Sequence, residues 1–419
     1  MDNPHFTIII PTKDRADTLV YTLKSCLQQK NQNFSVLVSD NCSSDNTKLI
    51  VDSFSDSRIC YKRTSKKVSM RKNWEFALDH IESDGFIFYL GDDDALLTYT
   101  VENAAKIITN YSKTKKIDAL VWQKVEYGWP NCILTSLQNQ LTIPYSNLMQ
   151  VYNGKKQFKK LYDHPIPYTK LPCLYNSFVS MEAVNKAIDI YGKPFFKNES
   201  PDMYSGVSLS QFCERYLYTT YPLSINGASN HSAGISGFYG KTDDEKAISN
   251  EFKKIAQIDN NEKQVHVQSI NYALYTCLKS LDPHTNKINK ENWFNSILFE
   301  IRDFGGDNFY EKIENLSKIE DFSAFFPLEQ QSKLKCNRNV SKVKIPDALN
   351  SNQIRIDLSR LGIYEVHGAS HVTSAIMENV YPKESEDIFK PLSKKIKEIL
   401  SLHLIYVKRK IIDLDVGSR

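Results

Sequence analysis

The sequence predicts an α/β protein built on a mostly parallel sheet with helices on both faces, followed by a largely helical C-terminal region. Apolar runs of strand length alternate with amphipathic stretches through the first hundred residues, the pattern that lays parallel strands beneath crossover helices. Beyond Lys241 apolar residues recur mainly at helical spacing. Three strand ends carry polar clusters, at 12–15, 40–45 and 92–94. In an open parallel sheet such ends converge on one edge, where ligands bind.

The elements follow in order. "FTIII" reads as a strand ending at Pro11, and "ADTLVYTLKSCLQQ" as a helix with Leu19, Leu23, Cys26 and Leu27 on one face. "FSVLVS" is a second strand, followed by the polar "DNCSSDNT" and a helix carrying Leu49, Ile50 and Phe54. "RICYKR" is a third strand, and "MRKNWEFALDHI" places Met70, Trp74, Ala77, Leu78 and Ile81 on one helical face. "GFIFYL" is a strand apolar on both faces. A helix over 101–111 and a single strand "DALVWQKVEY" follow, then hairpins and loops to Tyr145. Further on come a helix over 181–191, a helix start at Ser200 and Pro201, and one or two strands in "YLYTTYPLSINGASNHSAG". Helices are expected near 243–258, 262–281, 290–303 and 307–321, then a linker over 335–353. "IRIDLSRLGIYEVHG" reads as β-like, and the chain closes on a basic amphipathic helix over 389–412.

Composition narrows the function classes. The 419 residues exceed one small domain, and 41% hydrophobic with 24% charged residues is ordinary for a globular protein. A net charge of +4 over this length argues against a dedicated nucleic-acid binder. The eight cysteines include no CxxC pair, which argues against a zinc site or disulfide framework and suits a reducing compartment. "MDNPHFTIII" shows no signal-peptide pattern, and no apolar run reaches the length of a membrane span.

Asp92, Asp93 and Asp94 crowd three charges at the end of the apolar strand. Neighbouring carboxylates raise one another's pKa unless a positive group relieves them. A hard divalent cation, Mg2+ or Mn2+, is one such relief; a polar turn capping the next helix is the plain structural alternative.

Four stretches, "IIIPTKDRADTL", "VLVSDNCSSDNT", "MRKNWEFAL" and "FYLGDDD", together resemble family 2 glycosyltransferases of the GT-A fold. The resemblance covers about the first 240 residues. It implies a nucleotide-sugar donor lying against Thr12, Asp14, Arg15, Asp40 and Asn41, with Arg71 nearby. It implies that Asp92 faces the ribose and metal, that Asp93 or Asp94 ligates Mn2+ or Mg2+, and that His231 reaches the metal. The family often has Asp-x-Asp-Asp here; this chain has Gly91 at the first position, which leaves open which carboxylate touches metal. Asp202 in "NESPDMYSG" resembles the family's catalytic acid residue, with Glu199 as the neighbouring alternative. A single carboxylate acting as base in one displacement implies inversion at the anomeric carbon. Gly234, Gly237 and Gly240 suit a loop closing over the donor.

The expected activity is therefore metal-dependent transfer of a hexosyl or N-acetylhexosaminyl group, most simply from a UDP-sugar. The expected acceptor is a glycan or lipid-linked glycan of a bacterial surface polysaccharide. Two rivals remain. A sugar nucleotidyltransferase needs a glycine-rich phosphate loop after the first strand, and "PTKDRADT" has no glycine. A non-catalytic module of the same fold would bind nucleotide or sugar without turnover. The organisation expected is a transferase unit over 1–240, a helical region over 241–345 with an acceptor or oligomer role, and a C-terminal segment over 346–419. The seven basic residues of the last helix, Lys390, Lys394, Lys395, Lys397, Lys408, Arg409 and Lys410, suit peripheral contact with an anionic membrane; packing on the chain itself or on a second copy is the alternative. The expected location is the cytoplasm, including the inner face of the membrane.

Overall fold

The computed structural model describes residues 3–82, 84–144, 146, 148–232, 267, 269–281, 286–304, 309–326 and 353–380, with scattered positions between 236 and 254. The glycine loop (Gly234, Gly237, Gly240), nearly all of the 335–353 linker and the basic C-terminal helix lie outside the described residues, as does much of the stretch over 243–269.

The first hundred residues form β1 (Phe6–Thr12), α1 (Ala16–Leu27), β2 (Phe34–Asp40), α2 (Thr47–Ser53), β3 (Ile59–Arg63), α3 (Met70–Leu78) and β4 (Phe86–Tyr89), as the alternation predicts. Strand β4 shows why an unbroken apolar run was needed. Phe86 and Phe88 join one core while Ile87 and Tyr89 join the other, so both faces are covered. Helix α3 begins where Ser69 accepts the Lys72 amide. Asp45, in the polar loop after β2, accepts the amides of Ala16 and Thr47 and so ties the starts of α1 and α2 together.

The remaining elements of the first unit are β5 (Ala95–Leu96), α4 (Thr100–Ser112), β6 (Ala119–Trp122), β7 (Val125–Gly128), β8 (Gln140–Pro144), β9 (Met149–Tyr152), α5 (Gly154–Leu161), β10 (Ser177–Ser180), α6 (Met181–Tyr191), α7 (Pro201–Leu209), β11 (Tyr216–Thr219) and β12 (Ser224–Ala228). An eight-stranded sheet runs β3-β2-β1-β4-β10-β6-β11-β9. It is parallel apart from β10 and β9, which oppose their neighbours. Register aligns Thr12 with Asp40, and Asp40 with Arg63, at the carboxyl edge.

The single strand expected over 118–127 is corrected to two. Gln123 and Lys124 interrupt it, because β6 belongs to the large sheet and β7 to a second sheet, β13-β8-β7-β12-β5, whose first strand β13 is Gln353–Asp357. Strand β13 (Gln353–Asp357) is the only strand in "IRIDLSRLGIYEVHG"; a 3-10 turn over 358–361 and helix α12 (Val366–Val380) replace the rest. Val366, Ala369, Val372 and Met377 explain the helix, since together they bury one side against the core containing Leu19 and Leu23. The sequence boundary at 346 therefore precedes a strand paired with β8 and a helix packed on α1.

Helices α8 (Ile270–Leu281), α9 (Lys290–Phe304), α10 (Phe309–Ser317) and α11 (Glu320–Ser323) pack on the opposite face. Their Leu274, Tyr275, Trp293, Ile297 and Phe322 share one core with Trp74 of α3, Val184 of α6 and Val207 of α7. Among the described residues no helix is long and apolar enough to cross a membrane.

Candidate functional site

The site is built where the carboxyl ends of β1, β2, β4 and β6 meet the mouth of the second sheet. On the β2 side, Asp40 accepts the Ser43 amide at 2.8 Å and the Tyr61 hydroxyl, with Arg63 Nε at 3.8 Å. Asn41 spends its amide on the backbone of Val68, donating at 2.8 Å and accepting at 2.9 Å, so it shapes the loop rather than offering a free group. Asp14 adopts a left-handed backbone (φ 53°) and accepts the Ser44 amide at 2.6 Å. Burial raises its pKa, but the Ser44 bonds and the flanking lysines bring it below the usual carboxylate range. Thr12 Oγ1 is buried with no hydrogen-bond partner among the described residues, the kind of group a ligand satisfies.

The acidic triplet follows β4, and each of its carboxylates has a different neighbour. Asp92 Oδ1 accepts from Arg15 at 2.7 Å, and Arg15 also donates to the His231 carbonyl at 2.5 Å. Asp93 accepts from Ser229 at 2.6 Å. Asp94 accepts the Gly227 amide at 2.7 Å and lies 3.4 Å from Lys124 Nζ. All three aspartates are buried. Burial and the charge of Asp94 push the Asp93 carboxyl up to about 7, against the pull of Arg15 and Ser229. Negative charge is thus concentrated beyond what the surroundings neutralise.

Two glycines permit this geometry. A side chain at Gly227 would meet the Asp93 carbonyl at 1.8 Å, so only glycine lets β12 come close enough to bond Asp94. A side chain at Gly91 would stand 3.0 Å from the Asp94 carboxylate and 3.1 Å from the Tyr175 hydroxyl. Gly91 is therefore the residue against which Asp94 and Tyr175 pack.

Asp202 occupies the first turn of α7, behind Pro201. It is half-buried; desolvation raises its pKa, opposed by the Met203 amide and by Lys124. Its backbone carbonyl is fixed by Ser205 at 2.6 Å and by the Cys173 thiol at 3.1 Å. Glu199 instead pairs with Arg71 at 3.3 Å.

The structure thus brings Thr12, Asp14, Arg15, Asp40 and Asp92 to Asp94 to one edge, and the charge of Lys124, which faces Asp94, also reaches Asp202. It does not bring the His231 ring to the triplet: Nε2 lies 3.8 Å from Asp17, and the residue meets the site through its carbonyl. Sequence reasoning missed Lys124, Glu126, Tyr175, Asn226 and Ser229. The alternation Lys-Val-Glu-Tyr over 124–127 was the available signal, since it turns Lys124 and Glu126 away from the core side chains Val125 and Tyr127.

Residues 7–158, less than half of the chain, match the profile of Glycosyl transferase family 2. The matched span holds nearly all of β1, then β2 to β4 and the acidic triplet. The chain is similar to S. aureus TarS at 16% identity and a TM-score of 0.40, covering 79% of this chain and 52% of that one. It therefore spans about half the length of that protein. It is also similar to TarS 1–349 in complex with UDP-GlcNAc, at 14% identity and a TM-score of 0.42, covering 77% of this chain and 92% of that one. A third similar structure is the mannosyltransferase PcManGT from Pyrobaculum calidifontis in complex with GDP-Man and Mn2+, at 12% identity and a TM-score of 0.37, covering 80% and 85%. No curated protein matches the chain.

Proposed function

We propose that this chain is an inverting glycosyltransferase that moves a sugar from a nucleoside diphosphate to an acceptor hydroxyl. The observation that carries the reading is the buried acidic triplet at the carboxyl edge of the sheet, with a separate carboxylate, Asp202, that feels the charge of the same Lys124. The profile match over β1 to β4 supports it. Thr12, Asp14 and Asp40 offer donor and acceptor groups to the nucleotide, and Arg71 stands at the start of α3. Asp202 takes the proton from the acceptor hydroxyl as its oxygen attacks the anomeric carbon. The bond from that carbon to the diphosphate breaks, and the electron pair leaves with the diphosphate.

A divalent cation supplies charge neutralisation to the departing diphosphate. The carboxylates fit such an ion. Their oxygens are the hard donors that Mg2+ and Mn2+ prefer, and burial with the charge of Asp94 disfavours the ionised Asp93 that a cation would stabilise. Mg2+ commonly takes only one or two carboxylates, completing its shell with water and substrate phosphates. A cluster of three protein ligands is thus not required, and none is found among the described residues. Asp92 is engaged by Arg15, Asp93 by Ser229, and Asp94 by Lys124 and the Gly227 amide, so the triplet as a group is the proposed holder of the ion. A UDP-sugar donor, hexosyl or N-acetylhexosaminyl transfer and a bacterial surface glycan as acceptor rest on the family resemblance and complete the proposal.

The test of the metal role is release of nucleoside diphosphate in the presence of acceptor. EDTA should abolish it, and Mn2+ or Mg2+ should restore it. Undiminished release in EDTA would remove the cation from the mechanism.

A further inference from the structure

Strand β7 and the Lys124 that precedes it carry a polar side opposite the core. Val125 and Tyr127 point into the core, so Lys124 and Glu126 take the other side. Asn226 of β12 is the direct cross-strand partner of Glu126 and donates Nδ2 to its carboxylate at 2.7 Å. The Tyr175 hydroxyl lies 3.4 Å from Asn226 Oδ1, and Lys124 Nζ sits 3.2 Å from the centre of the Tyr175 ring. Lys124 in turn reaches Asp94 at 3.4 Å. A continuous polar wall therefore runs from the acidic triplet to Glu126, which is exposed within the crevice.

The position of this wall follows from strand order. Along the carboxyl edge come Asp40 at the end of β2, Thr12 to Arg15 at the end of β1, the acidic triplet after β4 and Lys124 after β6. A donor laid with its base at β2 and its diphosphate at the triplet extends its sugar toward β6. On the nucleotide-sugar reading proposed above, we infer that Glu126, held by Asn226, reads the hydroxyls of the transferred sugar, and that the pocket takes a neutral hexose or N-acetylhexosamine and rejects a uronic acid. Desolvation pushes the Glu126 carboxyl up to about 7, against the Asn226 bond and Lys124, so the group is ionised at pH 8, the pH of the test. A carboxylate accepts from sugar hydroxyls, and a charge-assisted hydrogen bond is stronger than a neutral one. An incoming sugar carboxylate would face Glu126 and Asp94 together, while the cation of this wall, Lys124, is already set against Asp94.

Calorimetry tests this in two steps. Titration with UDP and with GDP identifies the nucleotide the protein binds. The neutral and uronic sugars on that nucleotide are then compared: UDP-glucose with UDP-glucuronate, or GDP-mannose with GDP-mannuronate. The wild type should bind the neutral sugar nucleotide about tenfold tighter or more, the scale of one charge-assisted hydrogen bond. Glu126→Ala should lose about that factor for the neutral sugar nucleotide while binding the bare nucleotide as before, and Glu126→Gln should narrow the gap to the uronate. A wild-type preference for the uronate, or an unchanged gap in Glu126→Gln with unchanged affinity in Glu126→Ala, would overturn the inference alone. Failure of the wild type to bind either UDP or GDP would overturn the nucleotide-sugar reading beneath it.

Discussion

Asp202 owes its expected role to three local facts: a first-turn position behind Pro201, partial burial, and a carbonyl fixed by Ser205 and Cys173. Desolvation raises its pKa, so its charged, proton-accepting form is lost at a higher pH than for a free aspartate. Turnover should therefore fall on the acid side as Asp202 becomes protonated. Asp202→Asn should lower kcat by about a hundredfold or more, the usual scale for general-base loss, and abolish that acid limb while leaving the donor KM within a few-fold. Kinetics across pH checks this; lost donor affinity with turnover kept would make Asp202 a structural residue. The triplet and the strand-end residues were legible in the sequence because each belongs to one contiguous motif. Lys124 and Glu126 were not, because their role depends on a chain break between two sheets and on partners such as Tyr175 and Asn226 some 50 to 100 positions away.

Helix α12 shows where element reading failed. "VHGASHVTSAIMENV" carries Gly, Thr, Ser and two histidines, a weak helical signal that tertiary burial overrides. Ser370 donates to the Leu96 carbonyl at 2.6 Å and Ser374 accepts the Thr98 amide at 3.1 Å, so the polar residues serve as fasteners to the segment around β5. His367 and His371 stack edge to face on this helix. Burial, then His371 and Lys24, push the His367 pKa down to about 3, and burial lowers that of His371. A histidine with a depressed folded pKa stays neutral in the native state while the unfolded chain takes up a proton. Stability is therefore lost as pH falls below the unfolded value of about 6.5 toward 3. Between pH 7 and pH 5 the thermal midpoint of the wild type should drop more than that of His367→Gln. Equal drops would show that the pair stays solvated and uncoupled from folding.

At the scale of the molecule, the two cores on either side of the large sheet explain the placement of the crevice. Helices α1, α2, α4 and α12 and the second sheet cover one face, and α3, α6, α7 and the 270–326 helices cover the other. The carboxyl edge is left as the place where polar strand ends meet. The parallel half was legible because each strand alternates with its helix. Of the second sheet only the antiparallel β7–β8 pair was legible, as a hairpin before Tyr145; β5, β12 and β13 join it from distant stretches whose pairing no local pattern encodes. The most direct test of sugar transfer is turnover of a nucleotide sugar that the protein binds, followed as release of nucleoside diphosphate with Mn2+ present. The account predicts release by the wild type, none in EDTA, and about a hundredfold less or lower from Asp202→Asn that still binds the donor. Tight binding of nucleotide sugars with no release under any of these conditions, acceptor included, would contradict it and make the chain a binding module.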